Sequence, residues 1–72
     1  MPIHVRIDAP ALLPELIESF LRNRCVAQPV GDNSCLVIHV DAHHGGEAWR
    51  EVLFFVRAWG IRHPDVAAVV TR

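Results

Sequence analysis

Five histidines, two cysteines and a scatter of carboxylates are the only side chains here whose types suggest chemistry. His4, His39, Asp41, His43 and His44 form the candidate set, with Cys25 a possible sixth donor. Imidazole, carboxylate and thiolate together suit zinc, nickel or copper. Their spacing matches no established metal signature, and histidines are ordinary on wet strand faces and in glycine-rich loops. Loss of Met1 would leave His4 third from a free amine, a copper- or nickel-chelating spacing, but chelation needs amides that strand pairing would claim. The run His43-His44-Gly45-Gly46 ahead of a helix could hold an anion. A glycine-rich connection explains the same residues without a ligand. Nucleophilic catalysis has little to build on. Ser19 and Ser34 are the only serines, and Cys35 lies four residues from His39, about 13 Å along a strand. The expectation is a protein that is not an enzyme.

The elements that would position these groups follow from periodicity. Ile3, Val5 and Ile7 alternate with His4, Arg6 and Asp8, the period of a strand with one buried face. Pro10 and Pro14 bracket a helix start, and Leu13, Leu16, Ile17, Phe20 and Leu21 make one apolar stripe that stops at Asn23. Glu15, Glu18 and Arg22 take the outer side. A second strand is read from Cys25 to Val30, with Pro29 suited to an edge, and a turn at Gly31-Asp32-Asn33-Ser34 makes a hairpin. The third strand, Cys35 to Asp41, is read with Leu36, Ile38 and Val40 inward and Cys35, Val37, His39 and Asp41 outward. After the loop Ala42–Gly46, a helix from Glu47 to Ile61 turns Trp49, Val52, Val56 and Trp59 inward, flanked by Leu53 and Phe55, and ends at Gly60 and Pro64. Val66 to Thr71 is the last strand.

That order, β-α-β-β-α-β, predicts an α+β fold of ferredoxin-like topology: an antiparallel sheet ordered 4-1-3-2 with both helices on one face. A plain meander is the competing topology. A doubly wound parallel sheet conflicts with the one-sided first strand. In the favoured topology the first and third strands are neighbours, so His4 and His39 meet on the uncovered face with Asp41, His43 and His44 above them.

Composition narrows the function. Seventy-two residues make one small domain, residues 1–72, of marginal stability. With 51% hydrophobic residues the chain is no disordered segment, and some apolar surface is expected to stay outside. Net charge is −1, and the seven basic residues, all arginine, form no stripe for nucleic acid. The expected open-face positions (His4, Arg6, Val37, His39 and alternates of the last strand) carry no aromatic platform for RNA. The run Val52–Val56 is far short of a membrane span. With no signal peptide expected, Cys25 and Cys35 are read as free thiols in a reducing cytoplasm. Arginine without lysine suggests a GC-rich genome.

The second helix carries one anomaly. Phe54 falls nearly opposite the inner stripe, with Ile61 two turns on and Arg50 and Arg57 beside them, the composition of an interface core. The leading expectation is therefore a cytoplasmic module that binds a protein partner or a second copy of itself through the outer side of the second helix, the open sheet face, or both. Metal binding by the histidine-rich rim is the alternative. A small-ligand regulatory domain is a third, by analogy of fold alone.

Overall fold

The alternation of β1 (Ile3–Ile7) is reproduced in burial, with Ile3, Val5 and Ile7 inside. The computed structural model describes residues 2–72. A 3-10 turn at Pro10–Leu12 leads into α1 (Leu13–Arg22), where Pro14 sits in the first turn and needs no N–H partner. Glu15 near the start and Arg22 near the end suit the helix dipole, and Arg22 donates to Glu18 at 3.0 Å. Asn23 closes the helix, its side-chain amide donating to the Ser19 carbonyl at 2.8 Å. Arg24, with φ of 61°, takes the left-handed conformation that turns the chain into β2 (Cys25–Pro29). Gly31, with φ of 74°, reverses it again into β3 (Ser34–His39). Then α2 (Gly45–Arg62) and β4 (Ala68–Thr71) complete the order.

The four strands form one sheet ordered β2-β3-β1-β4, and every neighbouring pair is antiparallel. This is an α+β molecule with the expected order of strands. Leu13, Leu16 and Phe20 of α1 and Val52, Val56 and Trp59 of α2 join Ile3, Val5, Ile7, Cys25, Cys35 and Val37 in a single core. The helices therefore share one face of the sheet. Trp59 and Phe20 are its largest fully buried side chains, and β2 and β3 contribute the smaller Cys25, Ala27, Cys35 and Val37 to the same core. Large residues from one layer set against small ones from the other is how a dense core fills without strain. Trp59 Nε1 is buried among the described residues without a hydrogen-bond partner.

Several expectations need correction. The third strand is turned over: Cys35 and Val37 are fully buried, while Ile38 and Val40 are exposed. The cause is its pairing with β1, where Ile3 faces Val37 and Val5 faces Cys35. Residues directly paired across an antiparallel ladder share a face, and a one-residue slip would invert the whole strand. Ser34 belongs to β3, where it is buried, instead of to the turn. Leu21, expected in the apolar stripe of α1, is 67% exposed because it lies at the stripe's outer margin. β1 ends at Ile7, one residue early, because Asp8 bends away and accepts from the Ala67 amide at 2.9 Å through its side chain. The second helix starts at Gly45, two residues early, since His44 caps it. Trp49 is half-buried at the edge of the inner stripe.

At the far end of α2, His63 stacks on Trp59 with ring centres 4.2 Å apart and sets Nε2 2.8 Å from Glu15 Oε1. That contact ties the end of α2 to the start of α1. Truncation separates the real stripe of α1 from its apparent one. Leu16→Ala is expected to cost about 2–5 kcal/mol in denaturant unfolding, and Leu21→Ala less than about 0.5 kcal/mol. Equal costs would contradict the packing described.

Candidate interaction surface

The expected histidine rim does not assemble. His4 lies on the open face of β1, in register with Leu36 on one side and Thr71 on the other. His39 lies on the opposite face, because it shares the inverted register of β3, and its side chain is only 6% exposed beneath α2. There Nδ1 accepts from the Asp41 amide at 3.2 Å, which puts the proton on Nε2, 2.9 Å from Glu51 Oε2. Its ring also packs on Phe55, centres 6.0 Å apart. Asp41 is taken by the Arg24 guanidinium. His44 is the N-cap of α2, its Nδ1 accepting from the Glu47 amide at 3.1 Å. His43 is exposed in the loop. Among the described residues, no three or more His, Cys, Asp or Glu side chains are grouped to hold a metal ion. Most of these donors have structural partners instead.

The thiols are equally occupied by structure. Cys35 is on the core face, not the open one, and Cys25 pairs in register with His39 while Cys35 pairs with Pro29. Four rows of the ladder, about 13 Å, separate the two, too far for a disulfide. Burial pushes the Cys25 thiol up from 9.0 to about 11, with the Glu51 carboxylate adding to the shift. Burial alone pushes Cys35 to about 11. An activated cysteine shows the reverse, a lowered pKa beside a free base. Both nitrogens of His39 are already engaged.

The open face of the sheet is the surface with unspent chemistry. Val26, Val30, Ile38, Val40 and Val69 are 46–60% exposed there. Val26 is paired with Ile38, and half-buried Leu36 sits between Gln28 and His4 in the next row. The Val30 amide donates to the Ser34 carbonyl and the Val40 amide to the Arg24 carbonyl, extending the β2–β3 ladder at both ends. The result is an apolar half over β2 and β3. The other half carries His4, Arg6 and Thr71, with Val69 beside Arg6. No aromatic residue lies among these positions, in keeping with the composition of the open face expected from sequence, although Val37 and His39 are not part of it.

Sequence reasoning named the open face as an interaction surface but missed its aliphatic side chains, although β3 carried the signal. Its six residues, Ser-Cys-Leu-Val-Ile-His, followed by Val40, are apolar on both sides. A strand covered on one face alternates apolar with polar, whereas a strand covered on both is continuously apolar. The outer stripe of α2 was legible: Phe54 is 67% and Ile61 80% exposed, with Arg50 and Arg57 exposed beside them. Neither arginine makes an ion pair among the described residues. At the other end of α2, a cleft of about 370 Å³ is lined by Ile3, Gly45, Gly46 and Trp49, and the Arg72 guanidinium lies 4.6 Å from the Trp49 ring centre. No helix among the described residues is long and apolar enough to cross a membrane.

Compared with known proteins, the chain matches no family model, no curated protein sequence and no solved structure.

Raised thiol pKa values give a signed expectation. The folded chain keeps these protons above pH 9, where an unfolded chain sheds them, so their contribution to stability is intact below about pH 9 and is lost as pH rises towards 11. The unfolding midpoint should fall across that window and fall less in Cys35→Ala. A thiol reagent at about pH 8 should react only after denaturant is added. Two rapidly reacting thiols in the native protein would contradict the burial.

Proposed function

We propose that this chain is a small, non-enzymatic protein-interaction module of ferredoxin-like arrangement that associates through the open face of its sheet. One observation carries the reading: five exposed aliphatic side chains, Val26, Val30, Ile38, Val40 and Val69, are gathered on the one sheet face that no helix of the chain covers. They expose on the order of 400 Å² of apolar surface, the scale at which a patch on a small protein has a binding role. Covering that area would contribute roughly 10 kcal/mol before the cost of association is subtracted, enough for a specific complex.

The supporting facts are negative for other uses of the same residues. Among the described residues, Cys25 and Cys35 are buried with raised pKa values, His39 is bonded through both nitrogens and His44 caps α2, so none of these pairs a free nucleophile with a free base. Dispersed imidazoles remove the geometric ground for a metal centre. Free, buried cysteines suit a reducing compartment, and we assign the module to the cytoplasm. The arginine-framed stripe of Arg50, Phe54, Arg57 and Ile61 lies in the helical layer, away from the open face, and is a second surface available to a protein partner.

A photo-cross-linking side chain in place of Ile38, introduced in cells that make the protein, tests the reading. It is expected to yield a discrete protein adduct, and the same group in place of Glu18 on the outer side of α1 should yield none. Absence of any adduct from position 38, or equal adducts from both positions, would remove the open face as an interaction surface.

A further inference from the structure

We infer that the occupant of the open face is a second copy of this chain, packed sheet to sheet. The inference rests on the preceding reading of that face as an interaction surface and adds the identity of the partner.

Three features point to a second copy. The first is shape. The face belongs to a sheet of four strands, and its apolar positions reach from Val30 and Val40 at opposite ends of the β2–β3 ladder to Val69 on β4. A single helix laid over β2 and β3 is about 10 Å wide and would leave Val69 wet beyond Arg6. A second sheet at about 10 Å covers β2, β3 and β1 together, wider than one helix can reach, with Val69 at its margin.

The second is self-complementarity. The face divides along the strands into an apolar half over β2–β3 and a polar half over β1–β4. A two-fold axis lying in the interface, across the strands and through the row Gln28–Leu36–His4–Thr71, sets β2 and β3 on their own copies. The halves over β2 and β3 then cover each other, with Val26 of one copy over Val30 of the other and Ile38 over Ser34. His4 and Arg6 fall in the polar half, and the two Arg6 side chains, offset on either side of the axis, are kept apart along the strands. No carboxylate lies on the strand positions of this face, so the dimer buries no acid, and each Arg6 has to reach the wet rim with its guanidinium. Such an isologous interface is the commonest way for identical chains to associate.

The third is area. The five aliphatic side chains expose about 400 Å² on this face, and exposed Gln28, Arg6 and Thr71 add on the order of 150–200 Å². Two such faces bury roughly 1,000–1,200 Å², the lower bound for a specific interface. The apolar half alone would fall well short, so the full face has to be used, as the in-plane axis requires. A chain of 72 residues also gains from having its sheet covered on both sides.

Sedimentation equilibrium of the purified protein tests this directly. At about 100 μM the chain should sediment at twice 8.1 kDa and dissociate on dilution. Ile38→Lys should weaken the dimer by roughly 30-fold or more, while Phe54→Lys in the helical layer should leave it unchanged. Far-UV dichroism and unfolding midpoints establish that each variant is folded, and Val26→Lys replaces Ile38→Lys if the latter is not. A wild-type chain that stays at 8.1 kDa at that concentration overturns the inference. So does a dimer that survives Ile38→Lys but is lost in Phe54→Lys, which would place the contact on α2. If the chain is monomeric and position 38 still gives a discrete heavier adduct in cells, only the identity of the partner was wrong. If position 38 gives no adduct either, the interaction reading fails with it.

Discussion

The register between β1 and β3 decides almost everything else. β1 has one apolar side, so its orientation is settled by the hydrophobic effect alone. β3 is apolar on both sides, and its own composition favours the wrong one: Leu36, Ile38 and Val40 are bulkier than Cys35 and Val37. Pairing Ile3 with Val37 and Val5 with Cys35 sends the smaller set under the helices. There Trp59 and Phe20 already supply the volume. The larger set is left on the outside, and that is the origin of the apolar open face.

How far the fold could be read from the residues follows from the same distinction. β1, α1 and α2 were legible because each has one wet side and one dry side, and the period shows which is which. The exposure of Phe54 and Ile61 followed from the same counting at 100° per residue. The order of strands in the sheet followed from the alternation of elements. β3 was different. Periodicity cannot orient a strand with two dry sides, and only its partner across the ladder can. One inverted strand then carried His39 and Cys35 to the wrong face and created a histidine cluster that the molecule does not have.

The groups that looked like chemistry mostly hold elements together. His39 and Glu51 clasp β3 to α2 in a nearly buried contact. His44 caps the start of α2, and His63 joins its end to Glu15 of α1. Arg24 and Asp41 pair where the chain enters β2 and leaves β3. For a chain with so small a core, polar contacts at the ends of α2 are a reasonable use of scarce titratable side chains. The side chains left without an internal role are the aliphatic ones of the open face and the Arg50, Phe54, Arg57 and Ile61 stripe of α2.

Isotope-filtered methyl spectroscopy reports most directly on whether β3 is covered twice. In a mixture of labelled and unlabelled chains, the Val37 methyls should show only contacts within one chain, to the side chains of the helical layer. The Ile38 and Val40 methyls should show contacts that cross from one chain to the other. If the Ile38 and Val40 methyls see only their own sheet and solvent, the sheet-to-sheet pairing is wrong; if Val37 proves to be the outward residue, the register described for β3 is wrong.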